Sequence, residues 1–138
     1  MNADWLHEDG KLFVHIFCHR EHAYPFETEG AGNWMGRYFF TGGMMPSESL
    51  LLNFQNDLVL DEQWRLSGTH YQLTAEAWLE NLDTRRGTVP EILAATYGEP
   101  RARQWLQRWR MFFLACAELF GYRNGTEWLV AHYRFVRR

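Results

Sequence analysis

Four side chains that can bind a metal ion or carry a proton stand close together in one apolar segment. In LFVHIFCHREH, residues 12–22, they are His15, Cys18, His19 and His22. Imidazole and thiolate are donors that Zn²⁺ prefers, so the types alone raise the hypothesis of a zinc site. Successive residues of a strand point to opposite faces, and the four donors converge only if the chain turns at Cys18. Because the segment also lacks a paired C-x2-C motif, we expect no metal site. His15 is then either a functional side chain or a core histidine whose ring nitrogens are satisfied, and the residues alone leave both open.

Tyr71 is the second side chain with a chemical interpretation. It lies in SGTHYQLT, after a predicted strand and before a predicted helix for which Thr74 is placed as the N-cap. Open α/β sheets bring ligand-facing residues to such strand ends. A tyrosine in a surface turn is the alternative, and the spacing alone favours that alternative.

Residues 18–46 combine glycines, a proline and a dense group of aromatic side chains. The mixture is too irregular for one regular element, so we expect an insertion with short helical pieces that faces something apolar. The run from Gly30 to Gly36 superficially matches a phosphate-binding loop. It follows no apolar strand and opens no β-α-β unit, so no phosphate site is predicted there.

Hydrophobic periodicity predicts the elements that would position these residues. A helix ends before the first strand, and the helix after the insertion is capped by Ser47. The longest helix carries a wide apolar stripe that predicts core packing, with its arginines in solvent. The predicted order is strand 12–17, insertion 18–46, helix 46–57, strand 58–66, helices 74–82, 90–97 and 103–122, and strand 128–136.

Length and composition predict one compact globular unit. The chain has 138 residues, of which 46% are hydrophobic, and a formal net charge of −3. This charge predicts no nucleic-acid partner, and the lack of a long apolar run predicts no integral membrane segment. The first residues lack the features of a signal peptide, and the only cysteines are Cys18 and Cys116. We therefore expect a cytoplasmic protein with both thiols reduced.

Several stretches resemble a known enzyme family. They are LFVHIFCHREHAYPFE, NWMGRYFFTGGMMPS, SGTHYQLTAEAWLENLD, MFFLACAELFGY and NGTEWLVAHYRF. In this order they are similar to the C-terminal half of coclaurine N-methyltransferase-like enzymes. These enzymes belong with the cyclopropane-fatty-acyl-phospholipid synthases and mycolic acid cyclopropane synthases, which are S-adenosylmethionine-dependent methyltransferases.

The resemblance implies a fold as well as a chemistry. The family has a seven-stranded doubly wound, Rossmann-like α/β sheet of class I type, whose first half binds the cofactor and has no counterpart here. By resemblance 12–17 is like the fifth strand, LVLDEQW is like the sixth, and 128–136 is like the antiparallel seventh that lies between them. Residues 1–138 are thus expected to form a single partial domain, the C-terminal portion of a longer enzyme.

The resemblance also implies catalytic roles. His15 matches a histidine that, in cyclopropane synthases, helps to hold a bicarbonate ion acting as base, and the backbone at Phe17 lies at the same site. Tyr71 matches the tyrosine of the family's histidine-tyrosine pair. The family's remaining site residues, including a Glu-x-x-Glu-His group, would lie upstream. We expect no cofactor bound tightly to this chain alone, and S-adenosylmethionine in the full-length parent.

The insertion at 18–46 resembles the family's substrate-covering segment. Its aromatic groups suit an apolar or cationic substrate, either an amine or a lipid acyl chain with a double bond. The alternative is a satellite core under a loop. The predicted substrate-binding residues are Trp34, Tyr38, Phe39, Phe40, Gly42 and Gly43.

Two hypotheses of different classes follow. The first is the substrate-side portion of a methyltransferase, inactive alone, which transfers a methyl group to an amine nitrogen or an unsaturated acyl chain in the full-length parent. The second is a truncated, non-catalytic module whose exposed sheet edge pairs with a second copy to form a homodimer, because uncovered edge strands associate.

Overall fold

The computed structural model describes residues 3–138. Short 3₁₀ helices lie at Ala3–Trp5, Ala31–Asn33, Leu50–Asn53 and Tyr122–Gly125. The strands are β1 (Lys11–His19), β2 (Tyr24–Pro25), β3 (Met44–Met45), β4 (Leu58–Leu66) and β5 (Trp128–Arg137). The α-helices are α1 (Trp34–Tyr38), α2 (Thr69–Thr84), α3 (Val89–Tyr97) and α4 (Glu99–Gly121).

Strand β5 lies between β1 and β4 and runs antiparallel to both. Its register places His132 opposite His15 of β1 and opposite Trp64 of β4. Strands β2 and β3 form a separate two-stranded ribbon inside the insertion. The arrangement confirms the predicted mixed α/β fold, with the last strand antiparallel between the other two.

The two faces of the main sheet have different environments. On one face a hydrophobic core forms from all three strands and includes Cys18, Leu58 and Tyr133. The segment before β4 crosses this face, and the Tyr133 hydroxyl donates a 2.6 Å hydrogen bond to the Glu48 carbonyl oxygen. The opposite face carries His15 and His132, and helices α2 and α4 pack against one end of it.

Helix α4 is the element against which the other helices pack. A small core between α3 and α4 contains Leu93, Ala102 and Leu106. Helices α2 and α4 are joined by Arg110, whose guanidinium donates hydrogen bonds of 2.6 and 3.0 Å to the two oxygens of Asp83. This interaction joins the last turn of α2 to the middle of α4.

The predicted helix at 46–57 is wrong. Only Leu50–Asn53 is helical, as one 3₁₀ turn. Ser47 caps no helix, because the backbone around it pairs with the end of β1. The N–H of His19 donates to Pro46, and the N–H of Glu48 donates to His19, both at 2.9 Å.

Three other boundaries differ from the prediction. Helix α2 begins at Thr69, so Thr74 is inside it and its hydroxyl donates to the His70 carbonyl instead of capping. Helix α4 begins at Glu99, directly after Gly98, whose positive φ of 87° breaks the preceding helix. Strand β1 extends to His19 because β5 pairs with it along its whole length.

The outer edge of β1 has one backbone partner within the described range, the bridge between His19 and Ser47. Self-association through this edge stays a prediction. Among the residues that the structure describes, no helix has both the length and the apolar character needed to span a bilayer.

We expect Asp83→Asn to lower the stability of the chain modestly, because it weakens the link between α2 and α4. Hydrogen bonds from Arg110 hold the pKa of Asp83 at about 2. The pKa of Asp83 in the folded chain is below its ordinary value of about 3.9. The ion pair therefore stabilises the chain fully above about pH 3.9, and this stabilisation is lost as the pH falls toward the folded pKa.

Urea unfolding of both proteins from neutral pH down to about 2 would measure this effect. The difference between wild type and Asp83→Asn should shrink over the acidic part of the range. Glu80→Gln, which removes a charge from the same helix at an exposed position, is the matched control. An equal loss of stability in the control would show that the ion pair is not the cause.

Candidate functional site

His15 lies in the middle of β1 on the face that points toward α2. Its Nδ1 is 2.7 Å from Nε2 of His132 across the β1–β5 pair. Its ring stacks beside the ring of Tyr71, with centroids 6.2 Å apart and an interplanar angle of 28°. The structure therefore brings together the two residues predicted as catalytic and adds a second histidine. The sequence placed His132 in the predicted last strand, but only the register of the sheet shows that it faces His15.

Tyr71 is placed by a close junction between three elements. Gly68, just before α2, donates its N–H to the Gly125 carbonyl oxygen at 2.9 Å. A β carbon on Gly68 would overlap the carbonyl oxygens of Phe120 and Trp128, so a glycine is required there. The junction sets the first turn of α2 against the end of α4, and Tyr71 packs on Phe120 with ring centroids 5.0 Å apart.

A cavity of about 390 Å³, lined in part by Tyr71, lies between the insertion, β1, α2 and α4. Among residues 3–138, none with a charged side chain lines it. The lining residues, mostly aromatic, are Phe17, Tyr24, Phe26, Met35, Phe40, Met45, Tyr71, Ala75, Trp78, Phe112, Phe113, Cys116, Leu119 and Phe120. A cavity of this size and composition suits an apolar small molecule.

Few polar groups reach the cavity. The hydroxyl of Tyr24 accepts a 2.9 Å hydrogen bond from Nε1 of Trp128. Burial raises the pKa of Cys116 to about 11, so this cysteine is a neutral thiol at physiological pH. Within the described residues, the Tyr71 hydroxyl has no hydrogen-bond partner. The Tyr71 hydroxyl is therefore a polar group in the wall that is free to meet a ligand.

The four aromatic residues among the predicted substrate-binding residues divide into two groups. Phe40 lines the cavity and stacks on Phe26, with centroids 4.9 Å apart. Trp34, Tyr38 and Phe39 instead pack among themselves and against α4; Phe39 stacks on Phe112 at 4.4 Å. These three anchor the insertion to α4.

Gly42 and Gly43 form the turn that places Phe40. Gly42 has a positive φ of 76°, and the N–H of Gly43 donates a 2.9 Å hydrogen bond to the Phe40 carbonyl oxygen. A β carbon on Gly43 would lie 3.2 Å from the ring of Phe26. The pair shapes the cavity wall without lining it.

The remaining donors of the opening cluster do not converge on one point. Cys18 points into the core on the other face, where burial raises the pKa of its thiol to about 12. His19 is buried: Nδ1 accepts the backbone N–H groups of Glu21 and His22, and Nε2 donates to Glu127 at 3.2 Å. Both ring nitrogens of His19 are thus used to hold the exit from β1.

The sequence profile of the family described as mycolic acid cyclopropane synthetase matches residues 1–128. (S)-Coclaurine N-methyltransferase of Papaver somniferum is 40% identical over 99% of this chain. Pavine N-methyltransferase of Thalictrum flavum subsp. glaucum is 34% identical over 99% of it. The chain spans only 40% and 39% of the lengths of these relatives.

Solved structures agree with the sequence matches. Coclaurine N-methyltransferase bound to N-methylheliamine and SAH superposes with a TM-score of 0.85 at 35% identity, over 96% of this chain and 40% of that one. A cyclopropane synthase of Mycobacterium tuberculosis gives 0.66 at 18% identity, over 98% of this chain and 49% of that one, which shows the fold alone. The fold is that of class I S-adenosylmethionine-dependent methyltransferases.

His19→Leu should destabilise the chain by about 1–3 kcal/mol, because two backbone N–H groups and Oε1 of Glu127 lose their bond to the His19 ring. Thermal unfolding would measure the loss. His22→Leu is the matched control, since His22 is exposed and only stacks on His19, with centroids 5.1 Å apart. If the two variants lose stability equally, the ring hydrogen bonds of His19 are not what holds this turn.

Proposed function

Because the chain belongs to the mycolic acid cyclopropane synthetase family of S-adenosylmethionine-dependent methyltransferases, we propose that it forms the acceptor side of a methyltransferase active site. We propose further that the acceptor is the nitrogen of an aromatic or otherwise apolar amine. The observation that carries this proposal is the aromatic, charge-free cavity. Tyr71 lines this cavity, and the ring of His15 lies beside the ring of Tyr71.

The walls of the cavity suit the charge changes of N-methylation. An amine must be neutral to attack a methyl group, and burial in an apolar site disfavours the ammonium form. During transfer, positive charge moves from the sulfonium to the nitrogen, and the faces of aromatic rings stabilise a cation. Phe40 and Phe112, whose ring centroids are 5.7 Å apart, offer such faces from the insertion and from α4.

Removal of a proton completes the transfer, and His15 and Tyr71 are the groups proposed for it. Nε2 of His15 and the hydroxyl of Tyr71 have no hydrogen-bond partner among the described residues. Two polar atoms of this kind also fit a small anion, so bicarbonate is an alternative occupant, which would act as the base when bound. In the first case His15 itself receives the proton. In the second case His15 and Tyr71 hold the bicarbonate that receives it.

S-Adenosylmethionine supplies the methyl group when it is bound. The chain spans two fifths of the N-methyltransferase relatives, and we propose that most cofactor contacts come from the portion that it does not span. On this proposal the cavity described here faces the methyl group but does not bind the cofactor by itself.

An unsaturated acyl chain is the second candidate acceptor. The family includes cyclopropane synthases, and the apolar cavity accommodates hydrocarbon. The amine is preferred because the relatives that are 31–40% identical are named as N-methyltransferases, whereas the cyclopropane synthases are only 18–20% identical.

Binding of N-methylheliamine to the 138-residue chain tests the cavity directly. We expect saturable quenching of tryptophan fluorescence, because Trp78 lines the cavity. Phe40→Ala and Phe112→Ala should each weaken binding at least tenfold. Phe54→Ala is the matched control, since Phe54 is 69% exposed and lies apart from the cavity. Tighter binding of oleate than of the amine would favour the acyl acceptor instead.

Turnover requires a cofactor site, so we would fuse this chain to the unmatched portion of Papaver somniferum (S)-coclaurine N-methyltransferase. The hybrid should methylate (S)-coclaurine, and the chain alone should not. His15→Ala should lower kcat by about 10²–10⁴-fold with little change in KM for the cofactor, because it removes a group that handles the proton. His7→Ala, at an exposed position, is the control. Unchanged turnover in His15→Ala would remove its proposed role.

A further inference from the structure

His132 makes a direct contact with the proposed catalytic histidine. The two rings face each other from adjacent strands, with centroids 4.8 Å apart and the Nδ1–Nε2 distance of 2.7 Å. That distance is a hydrogen bond, so one of the two nitrogens carries a proton and the other accepts it. Which of them donates decides whether Nε2 of His15 is a free base or an N–H group.

The surroundings of His132 favour its neutral form. The edge of Phe13 packs against its ring, with centroids 5.0 Å apart. Arg134, on the same face of β5, binds Asp61 at 2.6 Å and Glu62 at 2.8 Å, so these two carboxylates already have a partner. Among the described residues, His132 therefore has no acidic partner that would stabilise an imidazolium.

The pKa of His132 also favours its neutral form. Partial burial and the nearby His15 lower the pKa of His132. A neutral His132 whose Nε2 carries no proton can accept the Nδ1–H of His15 across this contact.

We propose that His132 is a positioning residue, which accepts a hydrogen bond from Nδ1 of His15 and so keeps Nε2 of His15 free to act as the base beside Tyr71. This inference rests on the proposed N-methyltransferase function and deepens it. Nε2 is the ring nitrogen farther from the backbone. The ring held in this way at Nδ1 lies against the ring of Tyr71 in α2, with centroids 6.2 Å apart.

The proton balance of the step is simple. After methyl transfer the product is an ammonium ion. Its N–H bond breaks, the electron pair stays on the nitrogen, and the proton bonds to Nε2 of His15. The resulting imidazolium keeps its Nδ1–H on Nε2 of His132, which lowers the cost of holding the charge. The proton passes to water when the product leaves.

A hydrogen bond in the opposite direction, from His132 to His15, would imply a different chemistry. If His132 donated to Nδ1 of His15, then Nε2 of His15 would carry a hydrogen. A ring in that form is a hydrogen-bond donor and suits a bound anion such as bicarbonate rather than direct proton uptake. The tautomer of His15 therefore separates the two proposed routes for the proton.

Nitrogen NMR of the ¹⁵N-histidine-labelled chain tests this directly, without any assay of turnover. We expect the neutral His15 ring to carry its proton on Nδ1. In His132→Phe we expect the proton on Nε2, the form that a free imidazole prefers. In His132→Gln the amide oxygen can still accept, so the Nδ1 form should persist. A proton on Nε2 of His15 in the wild-type chain overturns the proposal.

Kinetics of the hybrid enzyme provide the second readout. His132→Phe should lower kcat by about 10²-fold with KM for the amine unchanged, because the base is lost and the cavity is intact. His132→Gln should restore kcat to within a few fold of wild type. His70→Phe, at an exposed position next to Tyr71 in the chain, is the control.

The two readouts separate the possible failures. A wild-type hybrid that methylates no amine removes the proposed function, while the NMR experiment still decides the tautomer. An active hybrid in which His132→Phe keeps its kcat, or changes only KM, overturns the role of His132. Loss of kcat in His132→Gln with the Nδ1 tautomer retained also overturns it, because a hydrogen-bond acceptor alone would then be insufficient.

Discussion

The pairing of β5 on both of its edges is the constraint on which the rest of the structure depends. An antiparallel strand between two others has its backbone hydrogen bonds satisfied on both sides, and its side chains then alternate strictly between the faces. One face of β5 buries Leu129, Ala131 and Tyr133 in the core. The other brings His132 opposite His15 and Trp64. The same register that closes the core thus assembles the histidine pair.

Aromatic packing is the second organising interaction, and it links the insertion to the helices. Phe39 packs on Trp109 and Phe112, while Arg108 lies 3.8 Å over the ring of Tyr38. These contacts hold one side of the insertion to α4. Phe40, the next residue, turns the other way into the cavity. Adjacent aromatic residues therefore divide between anchoring the insertion and lining the site.

Sequence patterns predicted the strands and the long helices because their apolar residues recur with periods close to 2 and 3.6. The predicted starts of helices were wrong where tertiary contacts compete with the local preference of the sequence. The segment at 46–48 looked like a helix start, but its backbone pairs with His19 at the end of β1. Thr74 looked like a cap, but the junction at Gly68 starts α2 five residues earlier. A partner distant in sequence is absent from any local pattern.

The sequence by itself determined the composition of the site: an apolar strand that carries His15, a tyrosine after the next strand, and an aromatic insertion without charges at the positions that line the cavity. It also marked Cys18, His19 and His22 as residues of metal-binding type, and the alternation of side chains along a strand already argued against a shared site. Only the tertiary structure decided that His19 uses both ring nitrogens in a turn, and that His15 meets His132 across 117 residues of chain. The physical reason is that residue types follow from local order, whereas contacts between strands follow from the register, which the packing of the whole sheet sets.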